Sequence, residues 1–182
     1  ELLVDATASM GLPVAEKFER AVQVAVSLGY IALTDRHHVR MSWLKPGGLT
    51  ASPWFHRRHE LFRMAEWASG MRPEGQASLA EWMRRAAIAL RMRGGQAILV
   101  TDGMARPPDF FGALHVLMVR NLEVKVIQVL SPQELHPAAL ARAGMLIDAE
   151  TGMTHQLAYH PEELDRAVAD HNDLLARFCK RH

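Results

Sequence analysis

Asp5, Thr7 and Ser9 occupy alternate positions in "LLVDATASMG", directly after an apolar run, and Asp102 closes a second apolar run, "QAILVTDG". In an extended or loosely turned segment alternate residues project to the same side, so the first stretch delivers one carboxylate and two hydroxyls to a single point. Asp102 adds a second carboxylate if the two runs are neighbouring strands. All four are hard oxygen donors. Such a set suits Mg²⁺, which prefers octahedral geometry, keeps several waters and is commonly held by only one or two carboxylates; Mn²⁺ and Ca²⁺ are related occupants. The same residues also read as a turn held by side-chain-to-backbone hydrogen bonds and a helix cap. Spacing alone leaves both readings open.

The other chemistry-bearing residues point to structure. His56 and His59 are three apart beside Glu60 in "HRRHE", but the pattern is not H-E-x-x-H and no third zinc ligand is placed by sequence. His37 and His38 fall in a solvated connection. Trp54 and Phe55 beside Arg57 and Arg58 read as an aromatic anchor under a loop rather than a base-stacking platform, because formal net charge is only +1 and supplies no field to gather nucleic acid. Cys179 is the only cysteine, so no internal disulfide forms, and no base is placed beside it. No Walker-type loop, G-x-S-x-G elbow or G-x-G-x-x-G is present.

These residues need a scaffold. A chain of 182 residues, 49% hydrophobic and 23% charged, has the composition of an ordinary folded domain. At that length about 70% of the unfolded surface can be buried without disulfides or structural metal. We expect one domain over residues 1–182. The sequence opens within a strand and lacks an initiator Met, which reads as a fragment of a longer protein.

The periodicities predict a strand at "LLVD"; a helix from Val14 to about Leu33, apolar enough to be buried on most sides; a strand from Val39 to Leu44; and a loop at "KPGGLTASP". A one-sided helix follows over 56–70. Another, capped by Ser78 and ended by Gly94 and Gly95, carries Leu79, Trp82, Met83, Ala86, Ala87 and Leu90 on one stripe. "QAILVT" lacks polar alternation, the mark of a strand buried on both faces of a parallel sheet. A helix from Pro107 to about Arg120, a strand at "LEVKVIQVL", two short strands in "MLIDAETGMTHQLAY" and a closing helix over 161–180 complete the chain. This order predicts an α/β fold: an open, mostly parallel, doubly wound sheet with helices on both faces. Ligands of such sheets gather outside the carboxyl ends of the strands, where Asp5 and Asp102 lie.

"DATAS" after the first strand, "TDG" after a later buried strand and the apolar helix between them resemble a von Willebrand factor A domain. In that fold D-x-S-x-S, a Thr from a second loop and an Asp from a third build the metal-ion-dependent adhesion site; Asp5, Thr7 and Ser9 match the first part, with Thr in place of its first Ser, and Asp102 matches the third. More narrowly, "KFERAVQVAVSLGYIAL", "MRPEGQASLAEWMRRAAIAL", "ILVTDG", "VIQVLSPQEL" and "IDAETG" are similar, in order, to the A-type domain of the bacterial family called domain of unknown function fifty-eight, whose members are often encoded beside MoxR-type AAA+ ATPases. That family usually has "EGGT" where this chain has "EGQA": Ala77 replaces the metal-binding Thr, leaving Ser78 or Gln76 as compensating donors. The resemblance implies a non-enzymatic protein-interaction domain with a degenerate adhesion site, its partner a MoxR-type ATPase or that ATPase's client, presenting an acidic residue. It also implies a cytoplasmic domain, tethered to a membrane by a segment upstream. The alternative is a Mg²⁺-dependent phosphatase using Asp5 as the phosphoryl acceptor. That chemistry usually needs a second Asp where Thr7 stands.

Overall fold

In the computed structural model, residues 1–45, 48–75, 83–84, 88, 94–139, 145–147, 154–156 and 161–181 are described. The first strand, β1 (Leu2–Asp5), is buried along its whole length. It lies at the middle of a five-stranded sheet whose other members are β2 (Met41–Lys45), β3 (Gly48–Ala51), β4 (Gly95–Thr101) and β5 (Leu122–Gln128), in the order β3-β2-β1-β4-β5. Pairing is parallel except between β2 and β3. The chain leaves β1 towards β2 on one side and pairs β1 with β4 on the other, so the order reverses between β1 and β4. That is the switch point at which open α/β sheets bind ligands.

Strand periodicity sorts the core into two layers. Leu3, Ala97 and Leu99 face α3 (Pro107–Met118) and α5 (Pro161–Arg181), meeting Phe110, Leu114, Leu117 and Leu175. Leu2, Val4 and Val100 face the opposite way, towards α1 (Glu16–Thr34) and α2 (Leu61–Ser69), and pack with Phe18, Ala21, Ala25, Met64 and Ala68. With both faces covered, β1 and β4 need no polar alternation, which is why their sequences are continuous apolar runs. At the sheet edge, β5 alternates buried Leu122 with exposed Glu123 and Lys125, a charged edge that discourages pairing with another chain.

Two expectations are corrected. The "KPGGLTASP" stretch is not only a loop: Gly48–Ala51 forms β3, held against β2 in antiparallel register from Ser42↔Ala51 to Lys45↔Gly48. A neighbouring strand supplies the order that the local Gly and Pro content argues against. Nor is α1 buried on most sides. Its buried positions are Lys17, Phe18, Ala21, Ala25, Gly29 and Leu33, while Tyr30 and Ile31 are exposed, because the sheet covers one face and α2 only a flank.

The short strands β6 (Met145–Ile147) and β7 (Thr154–Gln156) pair antiparallel as expected, and Glu162 and Glu163 open α5. A short helix, α4 (Pro132–Leu135), follows β5. Of the helix expected after Ser78, only Met83, Arg84 and Ile88 are described: all are helical, with Met83 buried and Arg84 and Ile88 exposed. The remainder of that helix, with Gln76, Ala77 and Ser78, lies outside the described residues. Among the described residues no helix is long and apolar enough to cross a membrane.

Candidate metal centre at the switch point

Asp5 ends β1 fully buried. Its Oδ1 accepts from the Thr7 amide at 2.9 Å, and its Oδ2 accepts from the Thr101 hydroxyl at 2.6 Å. The first bond closes a turn, and a short 3₁₀ helix, Ala8–Gly11, follows. Thr7 holds the cap position of that helix in extended backbone geometry, yet its side chain makes no capping bond. Its hydroxyl instead lies 2.9 Å from that of Ser9. The capping alternative is therefore not what Thr7 does.

Asp102 follows β4. Its Oδ1 accepts from the Met104 amide at 3.1 Å, while Thr101 Oγ1 accepts from the Gly103 amide at 3.1 Å, so the "TDG" turn is knotted to the strand end by its own side chains. Gly103 has φ +68, and a Cβ there would sit 3.0 Å from Leu175 Cδ2, which explains a glycine at this position. Gln128 Nε2 donates to the Asp102 carbonyl at 2.9 Å and to Asn172 Oδ1 at 2.8 Å, and His171 Nε2 donates to the Gly103 carbonyl at 2.8 Å. Sheet edge and closing helix thus both hold the loop.

A third group enters that sequence reasoning missed. Lys17, in the first turn of α1, has a fully buried side chain whose Nζ lies 3.2 Å from Asp102 Oδ2 and 2.6 Å from Glu134 Oε1. The other oxygen of Glu134 accepts from the Ser131 amide and hydroxyl, both at 2.8 Å, in a capping box that opens α4. Both clues stand in the sequence. Lys17 continues the Ala21, Ala25, Gly29 stripe backwards by one helical step, and "SPQE" has the S-x-x-E pattern of a helix start.

Burial, and then the neighbouring Asp102 carboxylate, push the Asp5 carboxyl up to about 6, against the lowering effect of its Thr101 and Thr7 hydrogen bonds. Asp102 lies near enough for its charge to act on Asp5, and its Oδ2 is already paired with Lys17. By chemistry, two carboxylates and two hydroxyls are donors of the kind Mg²⁺ accepts; the Thr7 and Ser9 hydroxyls are hydrogen-bonded to each other at 2.9 Å. Among the described residues, Asp5 accepts from Thr7 and Thr101, and Asp102 from Met104 and Lys17, with one such bond at each carboxylate oxygen, which can accept two. Among the described residues no three His, Cys, Asp or Glu side chains are arranged to hold a metal, so the candidate centre rests on two carboxylates and two hydroxyls. Gly75, whose carbonyl accepts from the Ala8 amide at 3.2 Å, brings the 71–75 segment alongside the "DATAS" turn.

The remaining candidates have structural roles. Glu60 Oε2 accepts from the His56 and Arg57 amides and is the cap of the turn before α2. His56 packs edge-on against His38, with ring centroids 4.5 Å apart. Phe55 is buried and pairs with Val39, while Trp54 carries the Arg40 guanidinium 4.8 Å above its ring. Cys179 lies on the outside of α5, and partial burial pushes its thiol up, away from nucleophilic use. A cavity of 720 Å³ at the other end of the sheet, against Glu1, His38, Gln96 and Glu123, contains none of the candidate ligands.

No protein-family model matches the chain, and none of the curated proteins does. Solved structures do. An aerotolerance-related membrane protein from Bacteroides fragilis NCTC 9343, crystallised with multiple mutations to serine, is similar at a TM-score of 0.51 and 13% identity, over 94% of this chain and 86% of that one. BatB from Bacteroides thetaiotaomicron, a conserved hypothetical protein, gives 0.51 and 14% over 94% and 85%. A von Willebrand factor type A structure from Catenulispora acidiphila gives 0.50 and 18% over 98% of this chain, which spans 42% of that one. The fold is accordingly von Willebrand factor A-like, an α/β fold around a mixed, mostly parallel five-stranded sheet.

Proposed function

We propose that this domain is a non-enzymatic protein-interaction module whose contact centres on the crevice of Asp5, Thr7, Ser9 and Asp102, a degenerate metal-ion-dependent adhesion site. What carries the reading is that Asp5 and Asp102 follow the neighbouring parallel strands β1 and β4, near enough for the Asp102 charge to act on Asp5, with the Thr7 and Ser9 hydroxyls 2.9 Å apart in the loop after Asp5. Asp5, Thr7, Ser9 and Asp102 would hold Mg²⁺, or Mn²⁺ or Ca²⁺ in its place, with Gln76 or Ser78 available to compensate for Ala77. When bound, the ion supplies positive charge for an acidic side chain of the partner. The chain's own contribution is orientation: Thr101 and the Thr7 amide fix Asp5, and the Met104 amide fixes Asp102. The sequence resemblance supports a partner of the MoxR ATPase type, or its client; the likeness to a protein described as an aerotolerance-related membrane protein supports a cytoplasmic domain tethered to a membrane through an upstream segment.

The test is capture of a MoxR-type AAA+ ATPase from the same organism, in Mg²⁺ and in EDTA, by the wild type and by Asp5→Asn. Capture that requires Mg²⁺ and is lost in the variant is expected. Equal capture in every condition removes the metal from the mechanism, and no capture at all removes this partner.

A further inference from the structure

Lysine is among the residues least often fully buried, and Lys17 is buried within reach of two carboxylates rather than one. Its place is fixed from both sides. Glu134 cannot swing away, because its second oxygen is held by the Ser131 amide and hydroxyl, and Asp102 is held by the Met104 amide. The ammonium therefore neutralises one face of Asp102 with a charge belonging to the protein. Among the described residues, the carboxylates of Asp102 and Glu134 pair with this ammonium, and that of Asp5 lies within the electrostatic reach of Asp102.

We propose that Lys17 is the resident counter-cation of the crevice and sets its divalent-ion affinity by competing for Asp102. This inference rests on the metal-site reading above. An ion drawing on Asp102 shares that carboxylate with an ammonium it repels, so the bare site holds its ion weakly and a partner's acidic group adds the missing attraction. Lys17 and Glu134, the other carboxylate it pairs with, act on Asp102 in opposite directions. Removing the Lys17 charge deepens the negative field, whereas removing the Glu134 charge leaves the ammonium to Asp102 alone.

Mn²⁺ serves as the probe, its binding read from loss of the free-ion spin-resonance signal in the wild type, Lys17→Met and Glu134→Gln, each with and without Asp5→Asn. Lys17→Met is expected to bind Mn²⁺ at least about tenfold more tightly than the wild type, and Glu134→Gln about tenfold more weakly. Mere disruption of the fold would weaken both, so a gain in Lys17→Met separates competition from damage. Equal or weaker binding by a folded Lys17→Met, where Asp5→Asn abolishes the wild-type signal, overturns the role of Lys17 and leaves the metal site standing. Should Lys17→Met not fold, Lys17→Gln, which keeps a hydrogen-bond donor without the charge, takes its place: tighter Mn²⁺ binding than the wild type supports the proposal, and equal or weaker binding by the folded variant overturns it. Silence towards millimolar Mn²⁺ in every variant removes the metal site, and the role of Lys17 with it.

Discussion

Between Thr101 and Thr7 the Asp5 carboxylate carries a hydrogen bond on each oxygen and touches no solvent. Those two bonds do not offset burial and the Asp102 charge, which together raise its pKa from 3.8 to about 6. Below the unfolded value both states hold the proton, and ionisation has no effect on stability. Between the two values the folded state keeps a proton that the unfolded state has lost, so stability falls as pH rises. Above the folded value the whole penalty is present, roughly 3 kcal/mol for a shift of about two units. Asp5→Asn keeps the shape and removes the charge. Its amide nitrogen would donate to Thr101 Oγ1, which then leaves the threonine proton unused, a loss of about 1 kcal/mol. In metal-free buffer we expect Asp5→Asn to be more stable than the wild type at pH 8 by about 1–2 kcal/mol and to lose the advantage near pH 4. Denaturant midpoints at the two pH values check this, and a variant weaker at both would mean that the hydrogen bonds outweigh the charge.

Among the elements, α4 shows most plainly that order at the site is borrowed. Four residues are far too few for an independent helix, and Pro132–Leu135 stands only because Ser131 and Glu134 exchange capping bonds and Glu134 reaches Lys17 on a different helix. Ser131→Ala removes the hydroxyl that accepts from the Glu134 amide and donates to its carboxylate, and is expected to lower stability by about 1–2 kcal/mol. The loss should be local. Amide exchange of residues 134–136 should accelerate, while that of β1 and β4 follows only the global change. If β1 and β4 lose protection as much as α4 does, the capping box supports the whole site and not α4 alone.

Across the whole molecule, what the sequence discloses is what local burial dictates. β1, β4 and α3 are legible because each is covered on the side its apolar residues face, and Asp5 and Asp102 are legible because they stop such runs. β3 is illegible because "GLTA" takes its conformation from β2, and the Lys17–Glu134 pair because its members stand 117 residues apart, joined only by the fold. The same division into layers makes a stability prediction. Leu33 belongs to the α1 and α2 layer, and Leu117 to the α3 and α5 layer, with the sheet between them. Truncating either to Ala should lower stability by about 2–4 kcal/mol, from the lost burial and the cavity left. Having no shared neighbours, the two changes should add to within about 0.5 kcal/mol in the double variant. Both layers nevertheless rest on the same strands, since Leu3 and Val4 of β1 face opposite sides of the sheet. Neither layer can therefore melt without exposing the back of the other. The double variant should still unfold in one transition, with fluorescence and circular dichroism midpoints coinciding. Two separated transitions would show that the layers are independent units, and that the crevice between β1 and β4 is a boundary between them.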